Sequence, residues 1–131
     1  VPMLGDAGAH DGYFKDTHSP TELLREITRK HGVYTLSDAV HRITGKSAQI
    51  IGLKERGELR EGWHADINVI DYENLSTTHA QYVNDFPHNG GRFVVKAIGY
   101  DATIVSGQVV TRNGEYTGNR PGSVIREFIR G

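Results

Sequence analysis

The spacing of the apolar residues changes once along this 131-residue chain, between Gly52 and Gly57. Before that point, apolar residues have the i, i+3, i+4, i+7 spacing of an amphipathic helix, as at Leu36, Ala39, Val40 and Ile43. After it, residues 65–71 alternate apolar and polar side chains, which is the period of a half-buried strand. The sequence therefore predicts mixed α and β structure, with helices first and strands afterwards.

Three helices are predicted before that change, and each has a local start signal. Ser19 and Glu22 have the S-x-x-E spacing of a capping box, and Gly32 is a natural stop for the first helix. Thr35 is the predicted N-cap of the second helix. Ser47 is the predicted cap of a short third helix.

The second half of the chain is predicted to be mostly strands. Residues 92–98 are rich in β-forming types, and Asn113-Gly114 is a hairpin signal inside a three-stranded meander over residues 102–117. Residues 73–91 contain few apolar side chains and are predicted to form a long surface loop. Residues 123–130 are predicted to form a short terminal helix.

The composition argues against several classes of function. The chain has 15 Lys and Arg against 16 Asp and Glu, so no excess of positive charge is available for nucleic acid. It has no cysteine, which excludes a disulfide scaffold and a thiol nucleophile and suits a reducing, cytoplasmic compartment. No stretch approaches the roughly 20 apolar residues of a membrane span, so no membrane partner is expected.

Polar side chains crowd the first turn of the chain. An apolar run at residues 1–4, typical of a strand, meets a loop that contains Asp6, His10, Asp11, Asp16 and His18. Such crowding past a strand end is common in the active sites of α/β proteins. Asp6 is either a metal ligand or general base, or an Asp that hydrogen-bonds the amides of its own turn. His10 and His18 are either metal ligands or solvated loop histidines.

The remaining candidate motifs point to structure rather than chemistry. The glycines at 5, 8 and 12 are not followed by Lys-Ser/Thr, so a phosphate-binding P-loop is excluded. His31 and His41 lie on polar helix positions and are predicted to be surface residues. The basic groups at 29–31 and 54–60 are offset by neighbouring glutamates and are predicted to form a solvated face. No role is assigned to His64, His79 and His88.

Three blocks of sequence resemble the C-terminal part of the amidohydrolase superfamily. They are LGDAGAH at 4–10, the helical segment 36–53 that begins LSDAVHRIT, and RGELREGWHADINVID at 56–71. In addition, residues 107–117 resemble the last hairpin of the family's small β domain. They cover nearly the whole chain in family order. The sequence DAGAH and the ending between Tyr116 and Gly122 are similar to the N-acyl-D-amino-acid deacylases (D-aminoacylases).

The resemblance implies a zinc-dependent hydrolase of N-acyl amino acids, with an N-acyl, expected to be D-, amino acid as substrate. Asp6 matches the aspartate of the family's metal site, which contacts the metal, activates the hydrolytic water and protonates the leaving amine. His10 is a possible substrate-binding residue. The parent fold implied is an α/β TIM barrel, of which this chain would hold the last strand and helices over residues 1–53, followed over 54–131 by part of a small antiparallel β domain of sandwich type. This chain would thus itself be α+β.

A complete (β/α)₈ barrel needs about 250 residues, so the chain is expected to be a C-terminal fragment. The other metal ligands would then lie upstream, and the chain alone would hold no zinc and be inactive. Two alternatives remain open. The chain could be an isolated folding or assembly unit that packs against the missing N-terminal barrel portion or self-associates, or the parent could act on cyclic amides or another C–N bond.

Overall fold

A computed structural model of the chain describes residues 18–126 and 128. In this part of the chain, helices precede strands, as predicted. The helices are α1 (an α-helical turn, Ser19–Glu22, that continues in wider π-type turns through Leu23–Lys30), α2 (Leu36–Ile43) and α3 (Gly45–Ile51). The strands are β1 (Ile67–Ile70), β2 (Ser76–Thr77), β3 (Gln81–Phe86), β4 (Gly90–Val94), β5 (Ala97–Ile98), β6 (Tyr100–Val105), β7 (Gln108–Arg112) and β8 (Glu115–Tyr116).

Helix α1 differs from the predicted helix in its start and in its turns. The capping-box prediction is wrong because Ser19 is already the first helical residue, and Glu22 is held at 3.1 Å by the guanidinium of Arg25, a charge-assisted bond. In these wider turns, each residue is rotated less about the helix axis than it is in an α-helix. Leu24 and Thr28 are therefore buried together on one face, and the Ile27 side chain is turned away from that face and is 39% exposed.

Helices α2 and α3 form an interrupted pair, and the predicted cap of α2 is confirmed. The Thr35 hydroxyl accepts a hydrogen bond from the Asp38 N–H at 3.2 Å. The predicted cap of α3 is wrong, because Ser47 lies inside the helix and its hydroxyl donates to the Arg42 carbonyl at 2.8 Å. The helix ends at Gly52, whose φ of 72° is the left-handed conformation that glycine adopts without strain.

The larger sheet of the described residues has the strand order β1-β6-β7-β8, with every pair antiparallel. Ile67 of β1 lies opposite Ile104 of β6, and Ala102 of β6 lies opposite Arg112 of β7. The predicted meander over 102–117 is confirmed. Its tight turn places Asn113 at φ 50° and Gly114 at φ 81°, the positive values that the Asn-Gly signal predicts.

The prediction of a long surface loop at 73–91 is wrong. The chain between β1 and β6 forms nested antiparallel pairs, β2 with β5 and, beyond them, β3 with β4. A short 3₁₀ turn, Pro87–Asn89, joins β3 to β4. Most side chains of β3 face solvent, so the strand lacks the apolar alternation by which strands are recognised in a sequence.

The terminal helix predicted over 123–130 is not observed where the structure describes the segment. Residues 123–126 have no regular secondary structure, and Val124 is exposed. The rest of the predicted helix, apart from Phe128, lies outside the described residues.

The core of the described part is small and joins the helices to the start of the β region. Leu24, Ala39 and Leu75 are buried together. Half-buried residues pack around them: Tyr34, Ile43, Ile70, Tyr72 and Tyr100. The Thr21 and Tyr100 hydroxyls add a hydrogen bond of 3.1 Å between α1 and β6. The core therefore holds α1 and α2 against the β1–β6 end of the sheet.

None of the described helices has the length and apolar character that crossing a membrane requires.

Candidate functional site

The principal predicted site residues, Asp6 and His10, lie outside the described residues, as do Asp11 and Asp16. His18 is described and immediately precedes α1. Its Nε2 lies 4.0 Å from Glu22 Oε1, and its Nδ1 is buried without a hydrogen-bond partner among the described residues. The structure thus places one residue of the predicted loop and leaves the placement of the others as a prediction.

The histidines of the described part are dispersed. His31 and His41 are exposed, which confirms their prediction as surface residues. His64, His79 and His88 are exposed as well. Between residues 18 and 126, no three His, Asp or Glu side chains come together in a way that could hold a metal ion. The described residues therefore do not form a metal site by themselves.

An open groove of about 940 Å³ lies between the first two helices and strand β1. Its lining is mostly apolar, and includes Leu24, Val40, Ile67 and Ile70. Leu59 also lines it and is 78% exposed. A groove with this lining is suited to an apolar surface rather than to an ion.

The acidic side chains at this groove are already paired. Asp66 receives a hydrogen bond from the Arg56 guanidinium, and its other carboxylate oxygen accepts the Ser106 N–H at 2.9 Å. Glu58 accepts a hydrogen bond from Arg60 at 2.7 Å. Because each carboxylate is paired with an arginine, neither one makes the groove attractive to a cation.

Three carboxylates of the described residues have lowered pKa values, and each is held by hydrogen bonds within the structure; at Asp71 the main cause is a hydrogen bond from the Asn74 side chain. A hydrogen bond from Lys30 lowers the pKa of Glu26, with nearby positive charges adding to the effect. A two-point hydrogen bond from Arg92 lowers the pKa of Asp85. A carboxylate stabilised in its charged form is a poor general base near neutral pH, so none of these side chains suits proton abstraction.

Arg29 has a role that the sequence did not reveal. It donates to the backbone carbonyls of Tyr72, Glu73 and Leu75, at 2.8 Å for the last two, and its guanidinium lies 5.6 Å from the centre of the Tyr72 ring. The prediction of a solvated basic group is therefore wrong for Arg29. These partners are 43 to 46 residues away, so no local pattern could indicate them.

Comparison with known proteins identifies the family. A family model described as the Amidohydrolase family matches residues 6–111. This chain belongs to the amidohydrolase family. The matched region begins at Asp6 and extends through β6 into β7, so it includes the helices, the core and most of the larger sheet.

Curated relatives confirm the resemblance to the D-aminoacylase branch. The chain is 35% identical over 106 residues to an N-acyl-D-aspartate deacylase, and 31% identical over 103 residues to a D-aminoacylase, both from Alcaligenes xylosoxydans xylosoxydans. These matches cover 80% and 79% of this chain, but 19% of each relative. A dihydroorotase of Endomicrobium trichonymphae is 36% identical over 92 residues, which is 67% of this chain and 21% of that protein. The chain thus spans about a fifth of the length of these relatives.

Solved structures give the same assignment. A D-aminoacylase mutant in complex with copper chloride superposes with a TM-score of 0.66 at 30% identity, over 82% of this chain and 21% of that one. A D-aminoacylase described as defining a novel subset of amidohydrolases superposes with a TM-score of 0.61 at 30% identity, over 76% and 19%. A third structure concerns the binuclear metal centre of D-aminoacylase. The fold of the described residues is therefore that of the corresponding part of an amidohydrolase.

Proposed function

We propose that this chain is the C-terminal portion of a metal-dependent amidohydrolase that hydrolyses the amide bond of N-acyl-D-amino acids. The observation that carries the proposal is the 35% identity to an N-acyl-D-aspartate deacylase over 80% of the chain. Superposition on D-aminoacylase structures over 76–82% of the chain also supports it.

In this proposal, Asp6 is the residue of this chain that takes part in the chemistry. Its carboxylate takes a proton from the attacking water and returns it to the nitrogen of the leaving amine, so that one group serves first as base and then as acid. Asp6 is also a metal ligand, and His10 is a candidate contact to substrate. The proposed metal is zinc, which would lower the pKa of water and polarise the acyl carbonyl.

The remaining metal ligands are proposed to lie outside these 131 residues. A catalytic zinc takes about three protein ligands. The chain spans only about a fifth of the length of its relatives, which supports placing most of such an enzyme, and with it the other ligands, elsewhere. The missing barrel portion of the same protein is thus the expected partner of this chain.

We further propose that residues 1–53 complete the barrel and that residues 54–131 belong to the small β domain. The described structure has its helices before Gly52 and its strands after Asp66, which supports a boundary between them. Gly57 lies at this boundary with φ 85°, and packs so closely on α3 that an added Cβ would lie 2.8 Å from the Ala48 Cβ. The two parts are thus expected to be packed closely against each other.

The direct test is a substrate panel with the intact enzyme. N-acetyl derivatives of D- and L-aspartate, glutamate and leucine are incubated with it, and the released amine is quantified, with zinc measured in the same preparation. The expected result is turnover of D substrates with stoichiometric metal. Turnover of the L series alone, or of neither series, would contradict the proposal.

A second candidate function is hydrolysis of a cyclic amide. It is favoured by the 36% identity to a dihydroorotase, whose named substrate, dihydroorotate, contains such an amide. The same panel separates the candidates when dihydroorotate is added to it. Turnover of dihydroorotate without turnover of any N-acyl amino acid would favour the second.

The 131-residue chain by itself could also be only a folding or assembly unit. We expect it to show no hydrolase activity and to bind no stoichiometric zinc when it is produced alone. Its exposed apolar groove favours self-association. Size-exclusion chromatography with light scattering measures that directly, and zinc-dependent turnover by the isolated chain would contradict the expectation.

A further inference from the structure

Strands β3 and β4, with the turn between them, form a two-stranded ribbon that we call the arm (Gln81–Val94). Its strands pack chiefly against each other. Tyr82 lies opposite Phe93 and Val83 lies opposite Arg92. Since side chains alternate along a strand, these two pairs lie on opposite faces of the arm.

One face of the arm is aromatic. The rings of Tyr82 and Phe93 meet edge to face, with 5.2 Å between their centres and 71° between their planes. The Tyr82 ring lies directly over Gly91, where any Cβ would overlap it. Tyr82 remains 62% exposed and Phe93 38% exposed. This arrangement leaves two adjacent, partly exposed aromatic rings on one face of the arm.

The opposite face of the arm carries an internally paired charge beside Val83. Arg92 donates two hydrogen bonds to the Asp85 carboxylate, at 2.8 and 2.6 Å. The same guanidinium lies 5.0 Å from the centre of the Phe86 ring. The ion pair is satisfied within the arm, whereas adjacent exposed rings form the kind of apolar patch that marks an interaction site. The two faces of the arm therefore differ in chemistry.

We propose that the aromatic face of the arm docks on an apolar patch in the part of the same enzyme that lies outside these 131 residues. This inference rests on the proposed function, under which this chain belongs to a longer enzyme. A two-stranded ribbon is marginally stable in water unless it packs on something. Tyrosine and phenylalanine are also enriched at buried interfaces.

We choose the remainder of the same enzyme as the docking partner because this chain is short compared with its structural relatives. The chain spans 19–21% of the D-aminoacylase structures on which it superposes, so about four fifths of such an enzyme is available to cover the arm. The apolar groove between the helices and β1 involves other residues, so the arm is a separate surface. Docking at the arm would therefore use a surface separate from that groove.

The test places a photo-crosslinking residue, p-benzoylphenylalanine, at Tyr82 of the intact enzyme. Gln81 provides the matched control, because it is the adjacent exposed residue and its side chain points to the other face. After irradiation, cross-linked peptides are identified by mass spectrometry, and amidohydrolase activity is measured on the same samples. The expected result is an intramolecular cross-link from position 82 to a residue outside these 131, at least tenfold more abundant than from position 81.

Three outcomes would overturn the proposal: a cross-link between two copies of the enzyme, a cross-link confined to these 131 residues, or no cross-link from position 82. The activity readout separates this proposal from the proposed function. An active enzyme without the expected cross-link would refute the docking surface alone. The expected cross-link in an enzyme that is inactive on every substrate would refute the function alone.

Discussion

Arg29 links α1 to the turn after β1, and its removal should loosen that turn. In Arg29→Ala, three backbone carbonyls lose a charged donor. Hydrogen bonds to charged groups contribute roughly 1.5–3 kcal/mol each, but water can replace the donor where a carbonyl is exposed. Leu75 is buried and Glu73 is exposed, so we expect a local loss of about 3 kcal/mol rather than the full sum.

Native-state hydrogen exchange of the intact enzyme measures this loss at the turn itself. The Asp71 and Thr78 amides flank the turn and are hydrogen-bonded to Gly99 and Lys96 at 2.8 and 2.9 Å. A loss of about 3 kcal/mol corresponds to roughly 100-fold faster exchange of these amides. Arg29→Lys should give an intermediate increase, because an ammonium cannot bridge three carbonyls as a planar guanidinium does.

The neighbouring Lys30→Ala variant is the control for Arg29→Ala. Lys30 pairs with Glu26 on the exposed side of α1, where solvent screening leaves an ion pair little effect on stability. Its effect on exchange at the turn should therefore be less than about threefold. Equal exchange rates in the Arg29→Ala and Lys30→Ala variants would refute the assigned role of Arg29.

Three further predictions concern single contacts. Gly57→Ala should lower the free energy of unfolding, measured by thermal or urea unfolding, by about 2–3 kcal/mol, because the added Cβ would overlap α3. Gly62 has a similar φ but open space around it, so Gly62→Ala should lower the free energy of unfolding by about 1 kcal/mol. Equal losses in the two variants would contradict close packing at Gly57. Thr35→Ala should cost about 1 kcal/mol through loss of the α2 cap, and no change in the unfolding midpoint would contradict it. Arg92 lowers the pKa of Asp85, so this pair stabilises the fold at pH values above the carboxyl's unfolded pKa of about 3.9, and the stabilisation is lost as the pH falls through the folded pKa. In Arg92→Gln, an NMR titration should show a higher pKa for Asp85. An unchanged pKa would refute the coupling.

Local signals predicted those parts of the fold that local interactions determine. Thr35 caps α2 through a bond to a residue three positions on, and the Asn113-Gly114 turn is set by its own backbone preferences. The arm was missed because its exposed strands lack apolar alternation and are held by pairing with each other. The Arg29 contacts were missed because they join residues more than 40 positions apart.

The candidate site was predicted from the family resemblance and not from local sequence signals. From the residues alone, the pattern favoured Asp6 as a turn residue, and only the family resemblance favoured a chemical role. The match to the Amidohydrolase family over residues 6–111 confirms the resemblance. The role of Asp6 stays a prediction, because Asp6 lies outside the described residues.

The proposed role of Asp6 is tested by the turnover of an N-acyl-D-amino acid by the intact protein carrying Asp6→Asn, with Asp16→Asn as the control in the same segment. Removing a general acid-base group typically lowers the rate by about 10²–10⁴-fold. We expect at least that loss for Asp6→Asn, with an unchanged unfolding midpoint, and near-normal turnover for Asp16→Asn. Near-normal turnover by Asp6→Asn would show that Asp6 is not the acid-base group.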